Sequence, residues 1–538
     1  MMVPPGVPGF RRSVPRLERV TDSLSTVEVR PGKQPSLDAD ARRLAAWLDT
    51  HKAIVLLAFT VIYLTGTVLH ARSKPFWYDE IITVIAARAP DLAGTWRAAL
   101  QVDAMPPLSH VLVHLAIGAM GLTEVAVRVP AMLGFWIFCL SLFWFAYRRV
   151  GIYFALTAML MPVVTGAYPY SVEARAYGPE LAFTGLALVT WQSAAENRRR
   201  WLALTGLGLS LVAALLCHYY AALLYLPLCG GECWRAYRAR RIDWGIWITF
   251  ALGTVPVFWR MATIVGVVKG FTRSWSPASP EQIMEYWETG LQQTGTVAAL
   301  WLGLLALAIV ANRKSTFAPD SAPAKVPEYE WVAGVLFLAI PTVAVIGGVL
   351  VTHTFTFRYA LIGLTGFCLL APLLAAYFLG SRALWGFVMF VVMSAGLGFA
   401  TIANPMWKNP YDAEPMLREA LRQGPVVVPD GKLFLSMWYY APADVKSHLL
   451  FLANDEAAVR YMDFETIDQG LRELVPWASI SLEEYPKFAT SGREFLVYQN
   501  TLRPGWLLSK VVDDGAAVEI QKQSAYRSLV RVRLKTAP

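Results

Sequence analysis

The sequence predicts a polytopic α-helical membrane protein with a small α/β domain at its C-terminal end. Three observations predict it. Apolar residues make up 56% of the chain and charged residues only 16%, where soluble domains carry about a quarter charged. Apolar runs long enough to cross a bilayer recur between residues 52 and 402. From residue 403 onward the chain turns polar, and short β-branched runs alternate with helical patterns. The apolar runs are too uniform for barrel strands, which alternate. Lipid offers the backbone no water, so helices are the remaining way to span it.

Residues 1–50 are rich in Pro, Ser and Arg and read as a disordered cytoplasmic tail without a cleavable signal. Eleven spans are predicted. The first five are 52–71, 129–147, 150–168, 178–195 and 202–217. The rest are 219–233, 242–262, 294–311, 331–351, 359–379 and 382–402. Arg11, Arg12, Arg16, Arg19, Arg42 and Arg43 hold the N-terminus inside. The loop 72–128 then lies outside. Arg148-Arg149, Arg198-Arg199-Arg200, the run from Arg235 to Arg241, and Arg313-Lys314 all return to the inside. This parity requires 106–121 to be a juxtamembrane or re-entrant helix. The apolar region 51–402 forms one transmembrane domain, with 72–128 as its principal outer loop. The tail 403–538 ends outside, with strands at Val426–Val428, Glu494–Tyr498 and Leu529–Val532 and helices at 411–423, 453–461 and 464–475. No internal repeat of the transporter kind is evident.

The net charge of +9 is what cytoplasmic Lys and Arg give a membrane protein, and nucleic-acid binding is not expected. The five cysteines, Cys139, Cys217, Cys229, Cys233 and Cys368, all sit in apolar runs. They read as packing residues, not disulfide or zinc partners.

Chemistry concentrates at the outer span ends. Lys74-Pro75-Phe76-Trp77-Tyr78-Asp79-Glu80 places two acids after an aromatic cluster. Charges at a membrane boundary are costly unless solvated or employed; the plainer account is a helix N-terminus that favours Asp79 and Glu80. Asp103 precedes Pro106-Pro107-Leu108, which starts a helix. Glu124 and Arg128 stand four apart before Pro130, the spacing of a local ion pair. Glu173, Arg175 and Tyr177 form another outer group, and Arg358-Tyr359 opens a later span, where Arg358 also suits headgroup anchoring. His110 and His114 share a helix face, but no Glu follows His110, so no zinc-protease pattern exists. Acids and arginines converging on one face point to an anionic lipid headgroup as ligand.

The ordered set Asp79-Glu80, Asp103-x-x-Pro106-Pro107-Leu108 and Glu124-x-x-x-Arg128-x-Pro130 resembles the GT-C glycosyltransferases. More narrowly, it resembles the bacterial relatives of protein O-mannosyltransferases and lipid A aminoarabinose transferases. Glu173-x-Arg175-x-Tyr177 and Arg358-Tyr359 are similar to later motifs of those relatives, and the resemblance runs over roughly residues 50–400. One position departs: Met105 stands where the relatives carry His or Lys before Pro-Pro.

The resemblance implies an inner-membrane enzyme that inverts a sugar carbon, transferring it from a polyprenyl-phosphate donor to a hydroxyl of an envelope acceptor. It implies Asp79 as general base, with Glu80 orienting the acceptor or balancing local charge. Arg128 and Arg358 would neutralise the departing phosphate, with Arg175 a further candidate, and Asp103, Pro106, Pro107, Tyr177 and Tyr359 would line the substrate site. No cofactor or metal is called for, though a divalent cation between Asp79 and the phosphate stays open. The competing readings are a transporter or flippase of a lipid-linked sugar, which predicts ionisable residues in mid-span, and a membrane scaffold.

Overall fold

A computed structural model describes residues 37–103, 105–259, 275–292, 295–313, 325–379, 382–402, 415–502 and 505–535. The chain is a multi-pass helical membrane protein with a mixed-sheet domain after the last span. Six of the expected spans are helices long and apolar enough to cross a membrane: Lys52–Ser73, Glu124–Tyr147, Arg200–Cys217, Glu328–Thr352, Phe357–Leu379 and Ala383–Ile402.

The other five expected spans are helical but shorter, broken or more polar. At 150–168 the α-helix Ile152–Leu160 tightens into a 3₁₀ turn, Met161–Val164, because Pro162 donates no backbone bond. At 219–233 a 3₁₀ turn, Tyr219–Leu224, precedes the helix Tyr225–Ala239. Tyr177–Ala195 carries Glu180 in its first turn. Gly295–Arg313 covers 294–311 except residue 294, which lies outside the described residues. The region 242–262 is helical from Trp244, and its residues from 260 lie outside the described residues.

We label the elements that place the site. They are α1 (Leu37–Thr50), α2 (Lys52–Ser73), α3 (Tyr78–Ala87), α4 (Leu92–Val102), α5 (Leu108–Met120), α6 (Glu124–Tyr147), α7 (Ile152–Leu160), α8 (Tyr177–Ala195) and α9 (Arg200–Cys217). Residues 37–50 correct the expectation of a disordered tail through residue 50. They form α1, which buries Ala41 and Leu48 against the bundle. Its Asp38 accepts from the Leu384 N–H at 3.1 Å. Arg11, Arg12, Arg16 and Arg19 fall outside the described residues.

At Gly134 and Gly178, α6 and α8 approach so closely that no side chain fits between them. A Cβ on Gly134 would sit 2.4 Å from the Gly178 carbonyl carbon, and one on Gly178 would sit 2.5 Å from the Ala131 oxygen. Small residues permit such backbone contact in membrane bundles. The basic loops gather at one end of the bundle. There Arg149 pairs with Glu196 and Glu330, Arg200 with Asp243, and Arg235 with Glu232 and Asp243.

The opposite end carries the first loop, which folds as α3, α4 and α5. The thirteen residues of α5 rise only about 20 Å at 1.5 Å each, short of the roughly 30 Å hydrocarbon core. Above it lies the C-terminal domain, a six-stranded sheet in the order β3-β2-β1-β4-β6-β5. Its strands are β1 (Val426–Val427), β2 (Leu449–Ala453), β3 (Leu482–Glu484), β4 (Glu494–Asn500), β5 (Ala517–Gln523) and β6 (Arg527–Arg533). The first four are parallel, and β6 pairs antiparallel with both β4 and β5. Strand side chains alternate faces. Val426, Phe451 and Leu496 therefore join one core, and Val427, Leu452 and Val497 another. The first of these cores continues into Phe76, Tyr78, Ile81, Ile85 and Val102 of the first loop. The domain is thus packed onto the loop through a shared apolar interior.

Candidate active site

Four acid–base pairs build the site from the end of the bundle outward. The deepest joins α3 to α6. Glu80 is the third residue of α3 and reaches back to the Trp77 N–H at 3.4 Å, which closes the start of that helix. Its carboxylate also takes a fork from Arg128: Nε on Oε1 and Nη2 on Oε2, each at 2.7 Å. Arg128 spends its remaining donors on the Ala71, Lys74 and Pro75 carbonyls, at 2.8, 2.6 and 3.2 Å. A guanidinium has five N–H groups, and all are used. Neither side chain reaches solvent.

This corrects three expectations. Arg128 has no donor left for a phosphate. Glu80 has no surface from which to orient an acceptor, and of its two expected parts it takes the balancing of local charge. Arg128 answers Glu80 across the fold, not Glu124 four residues away. Arg128 also takes up the Ala71 carbonyl in the last turn of α2 and the two carbonyls just beyond that helix, a place where carbonyls lack helical partners.

The neighbouring acid faces a different way. Asp79 Oδ2 accepts from Arg358 Nη1 at 2.6 Å, and each side chain keeps 14% exposure. The Arg358 guanidinium lies 5.6, 6.0 and 5.5 Å from the ring centres of Trp77, Tyr177 and Trp275. Its Nε is buried without a partner among the described residues. The two residues stand 279 positions apart in sequence, so the fold alone brings them together.

Asp103 accepts from Arg175 Nη1 at 2.7 Å and Nη2 at 3.2 Å, and contacts His110 Nε2 at 3.0 Å. Arg175 Nη1 also reaches the Asp79 carbonyl at 3.2 Å and the Thr83 hydroxyl at 3.1 Å. This arginine therefore clamps the α3 turn that carries Asp79. Burial pushes the Asp103 carboxyl up, but Arg175 and His110 outweigh it and hold the group well below the usual carboxylate range. Pro106 and Pro107 are buried. Pro107 caps α5, whose third residue is His110. The start of α5 at this cap sets His110 against Asp103.

The fourth pair is Lys74 with Glu173, at 3.3 Å. Burial pushes the Glu173 carboxyl up against the pull of Lys74. Tyr177 and Tyr359 join an aromatic wall. Tyr359 stacks on Tyr220 at 4.7 Å, and Tyr177 lies 5.5 Å from the His218 ring. Burial, then Arg175 and Arg358, lower the His218 pKa to about 3, so its imidazole is neutral. Sequence reading missed His218, Tyr220, Trp275 and Lys432 as members of this region. His218-Tyr219-Tyr220 carried a signal, since it interrupts two apolar runs. Trp275 and Lys432 carried none.

Among the described residues no three His, Cys, Asp or Glu side chains gather as a metal set. His114 Nδ1 faces the Ala87 carbonyl at 2.8 Å and Thr95 at 3.1 Å, away from His110 and its partner. The five cysteines are unpaired. The arrangement sets the partly exposed Asp79 carboxylate directly against the Arg358 guanidinium, under an aromatic wall, with Glu173 exposed to a similar degree beside Lys74. That combination can take a proton from a hydroxyl and neutralise an anion.

No protein-family model matches the chain, and no curated protein matches its sequence. Solved structures do match. ArnT from Cupriavidus metallidurans in the apo state superposes with a TM-score of 0.54 at 12% identity, covering 90% of this chain and 98% of that one. The same protein bound to undecaprenyl phosphate gives 0.53 at 13% identity over the same shares. This chain therefore shares the fold of that ArnT.

Proposed function

We propose that the chain is an inverting glycosyltransferase. It moves a sugar from a polyprenyl-phosphate donor to a hydroxyl acceptor of the cell envelope, on the outer face of a bacterial inner membrane. The observation that carries this reading is the Asp79–Arg358 pair, an accessible acid and base in a chain with the GT-C fold. The neighbour's bound undecaprenyl phosphate supports the donor class. The basic loops at the far end of the bundle support the orientation, since Lys and Arg stay cytoplasmic.

The acceptor oxygen attacks the anomeric carbon from the face opposite the phosphate. The bond from that carbon to the phosphate oxygen breaks, and its electron pair leaves with the polyprenyl phosphate. The acceptor proton passes to Asp79. Arg358 meets the charge growing on the leaving phosphate, and its planar fork suits that group. As it turns toward the phosphate, its hold on Asp79 loosens and the carboxylate becomes a better base. Asp103 and Arg175 keep α3 in register through the Asp79 carbonyl.

A transfer assay in proteoliposomes tests this. Wild type and Asp79→Asn are each offered a panel of polyprenyl-phosphate sugars. Donor consumption by wild type and not by the variant is the expected outcome. Consumption of no donor by wild type sinks the proposal and favours transport of a lipid-linked sugar.

A further inference from the structure

The four acid–base pairs of the site balance to zero. Glu80 is matched by Arg128, Asp103 by Arg175, Glu173 by Lys74 and Asp79 by Arg358. A phosphate brought into this cluster adds at least one negative charge with no counterpart. Partly buried anions need a paired cation, so the site is short of one.

We propose that Lys432, from the C-terminal domain, supplies this cation and binds the donor phosphate together with Arg358. The Lys432 ammonium lies 5.5 Å from the Trp275 ring centre, and the Arg358 guanidinium lies 5.5 Å from the same centre. The two cations are thus no farther apart than twice that distance, and lysine's four-carbon stem shortens the gap readily. Lys432 is exposed and makes no ion pair among the described residues. Asp430, the nearest acid in sequence, accepts from the Lys432 and Leu433 backbone N–H groups through its Oδ1, at 3.0 and 3.2 Å, and forms no ion pair with the Lys432 ammonium.

Both partners are held in place. Trp275 precedes Ser276, whose carbonyl accepts from the Phe355 N–H at 3.1 Å and whose hydroxyl donates to the Phe355 carbonyl at 2.6 Å. That ties the backbone beside Trp275 to the segment that leads into Arg358. Lys432 is the second residue of the helix Gly431–Tyr440. The other end of this helix docks on the first loop. The Tyr440 hydroxyl accepts from the Phe76 N–H at 2.6 Å, and the Tyr439 ring meets Phe76 edge-on at 5.7 Å. The C-terminal domain then contributes a ligand to the site besides its packing.

This inference rests on the proposed donor class. The test measures binding of undecaprenyl phosphate and of uncharged undecaprenol to the full chain in nanodiscs, for wild type, Lys432→Met and Lys432→Arg. Loss of one charge-assisted contact costs about tenfold in affinity. Lys432→Met is expected to lose about that much for the phosphate and nothing for the alcohol, while Lys432→Arg stays near wild type. Unchanged phosphate affinity in Lys432→Met, with wild type still preferring the phosphate, overturns the role of Lys432 and leaves the proposed function standing. Equal loss for both lipids marks a packing defect and also overturns it. A wild type that does not prefer the phosphate overturns both readings.

Discussion

Arg128 and Glu80 form a two-pronged ion pair, 2.7 Å on each prong, with neither side chain reaching solvent. The pair ties the end of α2, the start of α3 and the mouth of α6 into one joint. Removing one member of a buried pair leaves an uncompensated charge and costs about 3–5 kcal/mol. Arg128→Met is therefore expected to lose most of its folded yield. Arg128→Lys should rescue little, since an ammonium cannot make the fork and three carbonyl bonds together. Thermal unfolding in detergent checks this. A wild-type melting temperature in Arg128→Met would show that the joint is dispensable.

Asp79 is one residue away and behaves oppositely, because its side chain is accessible and paired once. Asp79→Asn should keep the folded yield and lose about 10²–10⁴ in transfer rate, the usual worth of a general base. Arg358→Lys should keep the charge and lose the planar fork, leaving partial activity. Arg358→Gln should fall further. Steady-state transfer with size-exclusion profiles of each variant separates rate loss from misfolding.

Much of this was legible in the sequence. Apolar run length gave the membrane class. The motif set marked Asp79, Asp103, Arg175 and Arg358 as members of one end of the bundle. Local spacing could not say which arginine answers which acid. Arg128 stands four residues from Glu124 and pairs instead with a carboxylate 48 positions away. Short strands such as Leu449–Ala453, buried within a parallel sheet, lack the alternation that marks a half-exposed strand. Trp275 and Lys432 meet only through tertiary packing, so no window of sequence holds them both.

Asp103 has the part of a positioning residue. It neutralises Arg175, which in turn holds the Asp79 carbonyl at 3.2 Å. Asp103→Asn keeps the shape and removes the charge. Arg175 is then left without its counter-ion and competes with Arg358 for Asp79. The expected result is a fall in kcat of about tenfold or more with little change in donor KM, because the base is weakened and the donor contacts remain. An unchanged kcat would assign Asp103 a purely structural part.

The last prediction concerns pH and the C-terminal domain. Asp468 is buried, and burial pushes its carboxyl up to about 7, against hydrogen bonds from the Asn454 N–H at 3.0 Å and the Trp506 indole N–H at 3.1 Å. A carboxyl whose folded pKa is raised binds a proton more readily in the native state than in the unfolded one. Protonation then favours folding. Its stabilisation is complete below the ordinary carboxylate pKa near 4 and is lost as pH rises through about 7. Between those limits the domain should lose about 1.4 kcal/mol per pH unit. Asp468→Asn keeps an acceptor oxygen for both donors and carries no charge at any pH, so its stability should be flat across the same window. Hydrogen exchange of residues 449–471 in the full chain, at pH 5 and pH 8, reads the difference. Protection should fall with pH in wild type and stay level in the variant. Parallel behaviour of the two proteins would place the pH sensitivity, if any, on another group.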